Sequence, residues 1–108
     1  MEIKLNIYSG KEVIKTYTAE GYDLMMGTIE DFMDIVDIEK LNDTAAVAKM
    51  VMQGYAQIKP LMKDIFPGLT DEEFRGIKLT ELVQVIAQIG AAVINNLGIL
   101  KQGNSTGA

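Results

Sequence analysis

The chain has 108 residues, which is room for one domain with a modest core, and it contains neither cysteine nor histidine. Disulfides, thiolate chemistry and the usual neutral-pH proton carrier are therefore excluded, and we expect a protein that is not an enzyme and has no metal ion or cofactor. The net charge is −5, and neither the acidic stretch between Thr16 and Glu39 nor the remainder shows a phosphate-neutralising stripe, so nucleic acid is not an expected partner.

The first twenty residues predict a β-hairpin. Ile3, Leu5 and Ile7 alternate with polar residues, which is the period of a strand with one buried face. A second run of β-forming residues over 13–17 follows a glycine-containing connection over 9–11. Two strands alone are marginally stable in water, so we expect this hairpin to lie on helices or to join strands of another subunit. Its first residues, Met1 to Asn6, alternate polar and apolar residues and lack the basic and apolar stretches of a signal peptide, so secretion is not expected.

Helices are predicted after the hairpin. Asn42, Asp43 and Thr44 supply capping residues for the second helix. Pro60 is expected to kink that helix or to begin a new short one, because proline lacks a backbone donor and clashes one turn back. The first helix is predicted from apolar residues at steps of three and four, namely Tyr22, Met25, Met26, Ile29, Phe32, Met33 and Val36.

Thr70 and Glu73 have the spacing of a capping box and predict the start of a further short helix. Gly76 is expected to separate it from a long helix that begins near Leu79. Short helices bounded in this way are typical of a small α-rich domain.

The expected fold class is α+β and mostly α. We expect a single domain over 1–100, with the β-hairpin over 1–20 and about four helices over 21–100, the last one long and amphipathic. The small polar residues of 101–108 have nothing to bury, so we expect a disordered tail there.

The segment 82–100 contains no charged residue and is long enough to span a membrane. Its polar residues recur at helical spacing, however, and would need partners inside hydrocarbon, whereas in water such a stripe simply faces solvent. An amphipathic helix is therefore predicted, without membrane association. Its polar stripe is Glu81, Gln84, Gln88, Asn95 and Gln102, and its apolar stripe is Leu82, Ile86, Ile89, Val93 and Leu97.

Small residues form a third stripe on the same helix. Ala87, Gly90, Ala91 and Gly98 would let another helix approach closely. Packing inside the domain is favoured, because most apolar helix surface of a small domain covers its own core. A seam for self-association, and thus a homo-oligomer, is the open alternative.

Glu30, Asp34 and Asp37 lie about one turn apart and form an acidic face. A hard-cation site is disfavoured, because an EF-hand loop that started at Asp37 would have Asn42 in place of its required glycine. A solvated face is the default interpretation, and a surface that docks a basic segment of a partner protein is the alternative. The seven methionines are likewise expected to fill the core, although flexible thioethers also adapt to several partners.

Several short segments of the sequence resemble those of a known protein family. The chain is similar to the short tail assembly chaperones of long-tailed (siphovirus-type) bacteriophages and prophages of Gram-positive bacteria, over residues 2–97. The similar segments are Glu2 to Leu5, Gly10 to Val13, Tyr22 to Met25 with the acidic helix after it, Ile58 to Phe66, and Gly68 to Glu73.

The resemblance implies a non-enzymatic protein that binds the tape measure protein, keeps it soluble and helps tail tube subunits to assemble around it. Such a chaperone acts in the cytoplasm of the bacterial host and is absent from the mature virion. A tape measure protein is a long helical chain with apolar seams, which an amphipathic helix can cover reversibly. The expected contacts are exposed parts of Ile86, Val93 and Leu97, with Glu30, Asp34 and Asp37 as a second contact.

A function of a different class is also open. The chain would then be an acidic regulatory or host-directed phage protein, whose acidic helix mimics nucleic acid or blocks a nucleic-acid-binding surface on a partner. Enzymatic activity is not expected, because neither a nucleophile–base pair nor a metal cluster can be assembled from recognisable motifs.

Overall fold

The computed structural model describes the backbone of residues 1–107 and the side chains of residues 1–96. It confirms the predicted fold class: an antiparallel β-hairpin is followed by five helices, of which the last is long. Single 3-10 turns precede and follow the first helix, at Gly21–Asp23 and Ile38–Lys40. The elements are β1 (Glu2–Ser9), β2 (Glu12–Glu20), α1 (Met26–Ile35), α2 (Thr44–Gln53), α3 (Tyr55–Ile65), α4 (Asp71–Arg75) and α5 (Leu79–Gly107).

The hairpin turns at Gly10 and Lys11. Gly10 has φ +62°, and a positive φ at the first central position alone is the pattern of a type II′ turn, which suits the twist of the strands. Tyr8 lies opposite Val13 while Ile7 lies opposite Lys15, so β2 contains one extra residue that forms a bulge. The hairpin is thus a twisted ribbon with one strand against the helices.

The core lies between β1 and the helices. The sequence alternation is confirmed, since Ile3 and Leu5 are fully buried and pack toward α5. α1 packs on α3, and α2 packs on α5. The predicted apolar stripe of α5 is buried where its side chains are described, at Leu82, Ile86, Ile89 and Val93.

The polar stripe of α5 does not simply face solvent, contrary to expectation. The Lys4 N–H donates to Oε1 of Gln88 at 2.9 Å, and Nε2 of Gln88 donates to the Lys4 carbonyl at 3.3 Å. The Asn6 N–H donates to Oε1 of Glu81 at 2.9 Å, and Glu81 is only 6% exposed. An unpaired strand edge needs hydrogen-bond partners, and here helix side chains supply them.

The break between the second and third helices lies at Gly54, not at Pro60 as the sequence suggested. A Cβ at Gly54 would lie 2.7 Å from Cγ2 of Ile35, so glycine lets α1 approach the junction. Pro60 lies inside α3, where it deprives only the nearby Ala56 carbonyl of its helical donor. Close packing therefore decides where the chain turns.

The predicted caps are confirmed. The Asp43 side chain accepts a hydrogen bond from the Ala46 N–H at 3.1 Å and begins α2. Thr70 and Glu73 make both bonds of a capping box at the start of α4. Within the part of the chain with described side chains, no helix combines the length and apolar character that a bilayer crossing needs. Residues 101–107, where a disordered tail was expected, belong to helix α5 in the structure, and their side chains lie outside the described ones.

Candidate partner-binding groove

Helix α1 exposes its methionines. It buries Thr28 and Phe32, whereas Met26 is 76% exposed and Met33 is 50% exposed. The prediction that the methionines of this helix lie on a buried apolar face is therefore wrong. The helix has only ten residues and packs mainly on α3, so it buries only the narrow stripe around Phe32. Only Met62 among the methionines is fully buried, so core filling is not their general role.

A groove lies between α1 and α2. Its main part has a volume of about 670 Å³ and is lined by the end of α1, the linker after it and one side of α2. Two smaller depressions share Asp34 and Ile35 with it and extend it along α3 as far as Pro60. We call the combined depression the α1–α2 groove. Its principal lining residues are Met33, Asp34, Ile35, Asp37, Met50 and Gln53.

The α1–α2 groove is lined by charges of both signs. Its carboxylates are those of Asp34, Asp37 and Glu39, and none of them belongs to an ion pair among the described side chains. The Asp37 carboxylate accepts the Glu39 N–H at 3.0 Å, and the Asp37 N–H donates to Sδ of Met50 at 3.2 Å, so this residue fastens the linker to α2. Asp34 is exposed near the end of α1. Lys40 of the linker and Lys49 of α2 line the same groove.

The predicted contact residues separate into three groups. Asp34 and Asp37 come together in the groove, and Glu30 is exposed one turn before Asp34 on α1 without lining it. Ile86 and Val93 are 0% and 1% exposed, so the expectation that parts of them are available to a partner is wrong: they fill the core beneath β1 and α2. Leu97 lies outside the described side chains.

The carboxyl group of Glu73, whose pKa is strongly lowered, lies outside the groove, where β2 meets α4. The Tyr17 hydroxyl donates to Glu73 at 2.6 Å, and with the Thr70 N–H and the Lys15 ammonium it lowers the pKa of that carboxyl to about 2. The Gly68 carbonyl lies 3.1 Å from the same hydroxyl and is a second, more distant acceptor for its one proton. The cluster joins the outer strand to the helices, so we assign it to stability. Among residues 1–96, no three acidic side chains lie close enough together to hold a metal ion.

Sequence reasoning missed Met33 and Met50 as lining residues, because the spacing of an apolar residue on a short helix does not say which side has a neighbour. It also missed a second, apolar groove of about 340 Å³ whose exposed side chains are Met52, Tyr55 and Leu79. Its members come from three helices, and only their contact in the fold brings them together. Comparison of the chain with known protein families, curated proteins and solved structures finds no match in any of the three.

Proposed function

We propose that this chain is a tail assembly chaperone of a long-tailed phage, and that it binds the tape measure protein through the α1–α2 groove. The chaperone acts in the bacterial cytoplasm, without catalysis, and leaves before the virion is complete. The resemblance of the sequence suggests the partner. The observation that carries the binding site is an open groove that combines apolar side chains with carboxylates that have no ion-pair partner among the described residues.

The apolar part of the groove suits an amphipathic helix. Met33 is half exposed at its rim, and Ile35 and Met50 are partly buried within it. Amphipathic helices bind such grooves by inserting residues at steps of three and four. Flexible thioethers repack around different side chains, which suits a partner with many similar but unequal seams.

The charges near the groove bear on the flank of that helix. Asp34 in the groove and Glu30 beside it have no ion-pair partner among the described side chains and favour lysine or arginine beside the apolar seam of the helix, whereas Lys40 and Lys49 favour acidic side chains opposite them. The same exposed carboxylates also fit the alternative function, in which α1 covers a nucleic-acid-binding surface on a regulatory partner. The two functions differ in whether DNA competes for the bound protein.

The test is co-expression with the tape measure protein of the same phage genome. We expect the chaperone to raise the soluble fraction of that protein and to co-purify with it. Met33→Asp places a charge in the groove and should weaken binding about tenfold or more, since burial of a methionine side chain is worth about 1.5–3 kcal/mol. Met52→Asp is the matched control, because Met52 is 70% exposed and lies outside the α1–α2 groove.

Each outcome has a clear meaning. A tape measure protein that is equally soluble alone and does not co-purify contradicts the chaperone function. Equal effects of Met33→Asp and Met52→Asp contradict the groove as the binding site. Release of the bound partner by duplex DNA favours the regulatory alternative.

A further inference from the structure

The two outer edges of the hairpin differ. Gln88 and Glu81 cover the edge of β1 with hydrogen bonds, as described above. β2 is nine residues long, contains no proline and exposes Val13 (49%) and Ile14 (62%). Natural sheets usually protect such an edge, because its free backbone groups are a template for another strand.

The strand register shows which backbone groups are free. Lys4 lies opposite Thr18, and its N–H and carbonyl both bond to Gln88, so the two residues form a non-hydrogen-bonded pair. Asn6 and Thr16 form another such pair, since the Asn6 N–H bonds to α5. The backbone groups of Thr16 and Thr18 therefore point away from β1. Within the described part of the chain, no hydrogen bond uses them.

A cleft lies beside the C-terminal end of β2. The cleft has a volume of about 360 Å³ and lies between β2, the start of α1 and the end of α3. We call it the β2 cleft. A strand added to β2 would turn alternate side chains toward the cleft, which is how strand addition obtains specificity. Its apolar lining consists of Ala19, Leu24, Met25, Ile65 and Pro67.

The charged side chains that line the β2 cleft are all negative. Glu20, Asp23 and Asp64 line it, and no lysine or arginine does. Glu20 pairs with the amino-terminal ammonium at 2.5 Å, whereas Asp23 and Asp64 take part in no ion pair among residues 1–96. A bound segment with basic side chains at some of its cleft-facing positions would neutralise them, and apolar side chains at the other cleft-facing positions, two residues away, would enter the cleft.

We propose that the free edge of β2 and the β2 cleft bind an extended polypeptide segment, which adds a third strand to the sheet and whose every second residue, facing the cleft, is in turn basic and apolar. This site goes beyond the proposed function, since it uses other residues than the α1–α2 groove and takes an extended segment, not a helix. Backbone hydrogen bonds to Thr16 and Thr18 supply affinity, and Asp23 and Asp64 supply the preference for basic side chains.

The probe is a blocked seven-residue lysine–valine peptide that carries lysine and valine in turn at every second position with threonine between them, titrated into the full chain by calorimetry and by amide chemical shifts. Thr18→Pro removes an outward N–H without touching a bond to β1, and its ring obstructs an incoming strand, so affinity should fall at least tenfold. Met52→Ala lies outside β2 and the β2 cleft and should stay within twofold. Asp64→Lys should weaken binding at least fivefold in low salt.

Two further peptides complete the test. A glutamate–valine peptide should not bind, and a lysine–valine peptide N-methylated on alternate amides should bind at least tenfold more weakly. Equal binding of either peptide overturns the proposal, as does unchanged binding by Thr18→Pro with an intact hairpin. If Thr18→Pro does not fold, Asp64→Lys and the N-methylated peptide decide. A peptide-free dimer that Asp64→Lys or a β2 substitution dissociates would identify a second copy as the occupant and would also overturn it.

Discussion

Replacing Gly90 by alanine adds one methyl group at the point where the linker between α1 and α2 packs on α5. A Cβ at position 90 would lie 2.3 Å from Cδ1 of Leu41 and 3.1 Å from its Cδ2. Ordinary carbon contacts are about 3.5–4.0 Å, so the Leu41 side chain must move by more than about 1 Å. Position 90 is buried, so the small stripe has a partner inside the domain at this point.

The magnitude follows from two opposing effects. Overpacking of a filled site costs about 1–3 kcal/mol, whereas replacing glycine by alanine in a helix gains about 1 kcal/mol. We therefore expect Gly90→Ala to lower the free energy of unfolding by about 1 kcal/mol. Gly27→Ala is the matched control. Gly27 lies in α1 and a Cβ there meets nothing within 4 Å, so this substitution should only raise the free energy of unfolding, through the higher helix propensity of alanine.

Urea denaturation followed by circular dichroism measures both changes. Leu41→Ala should remove the clash, so that adding Gly90→Ala to Leu41→Ala raises the stability of that variant instead of lowering it. If Gly90→Ala alone stabilises the chain as much as Gly27→Ala does, the contact with Leu41 is not the constraint. A drop in mass by light scattering on Gly90→Ala would instead identify the stripe as a self-association seam.

Two further predictions concern carboxylates that join elements. The pKa of Glu73 is lowered from 4.5 to about 2, so its contribution to stability is full above about pH 5 and is lost as the pH falls toward 2. Glu73→Gln should cost about 1–2 kcal/mol at pH 7, and its stability difference from the wild type should shrink over that interval in pH-dependent thermal melts. Glu81→Ala leaves the Asn6 N–H without its acceptor and should cost about 1–3 kcal/mol, with faster exchange of that amide hydrogen; unchanged exchange would contradict the role assigned to Glu81.

Local rules predicted much of the fold. The alternation of Ile3 and Leu5, the cap at Asp43 and the capping box at Thr70 depend on residues near in sequence, and the structure confirms each. Such signals work because a strand period or an orphan amide is satisfied within a few residues.

Longer-range contacts account for the errors. The sequence predicted that the Gln88 amide faces solvent, because no residue near it in the sequence indicates that the edge of β1 lies beside it. Met33 looked like a core residue, because the side of α1 that α3 covers is fixed only in the folded chain. The exposure of Asp34 was predictable from its charge, but the α1–α2 groove was not, since it depends on the close approach that Gly54 allows.

The one-sided protection of the hairpin also limits how far its sheet can grow. Strand addition at β2 leaves β1 occupied by Gln88 and Glu81, so two copies joined through their β2 strands would have no free β1 edge for a third. An extended segment from another protein can lengthen the sheet further only through its own outer edge. Growth of an open-ended fibril from this chain alone is thus blocked by two side chains of one helix.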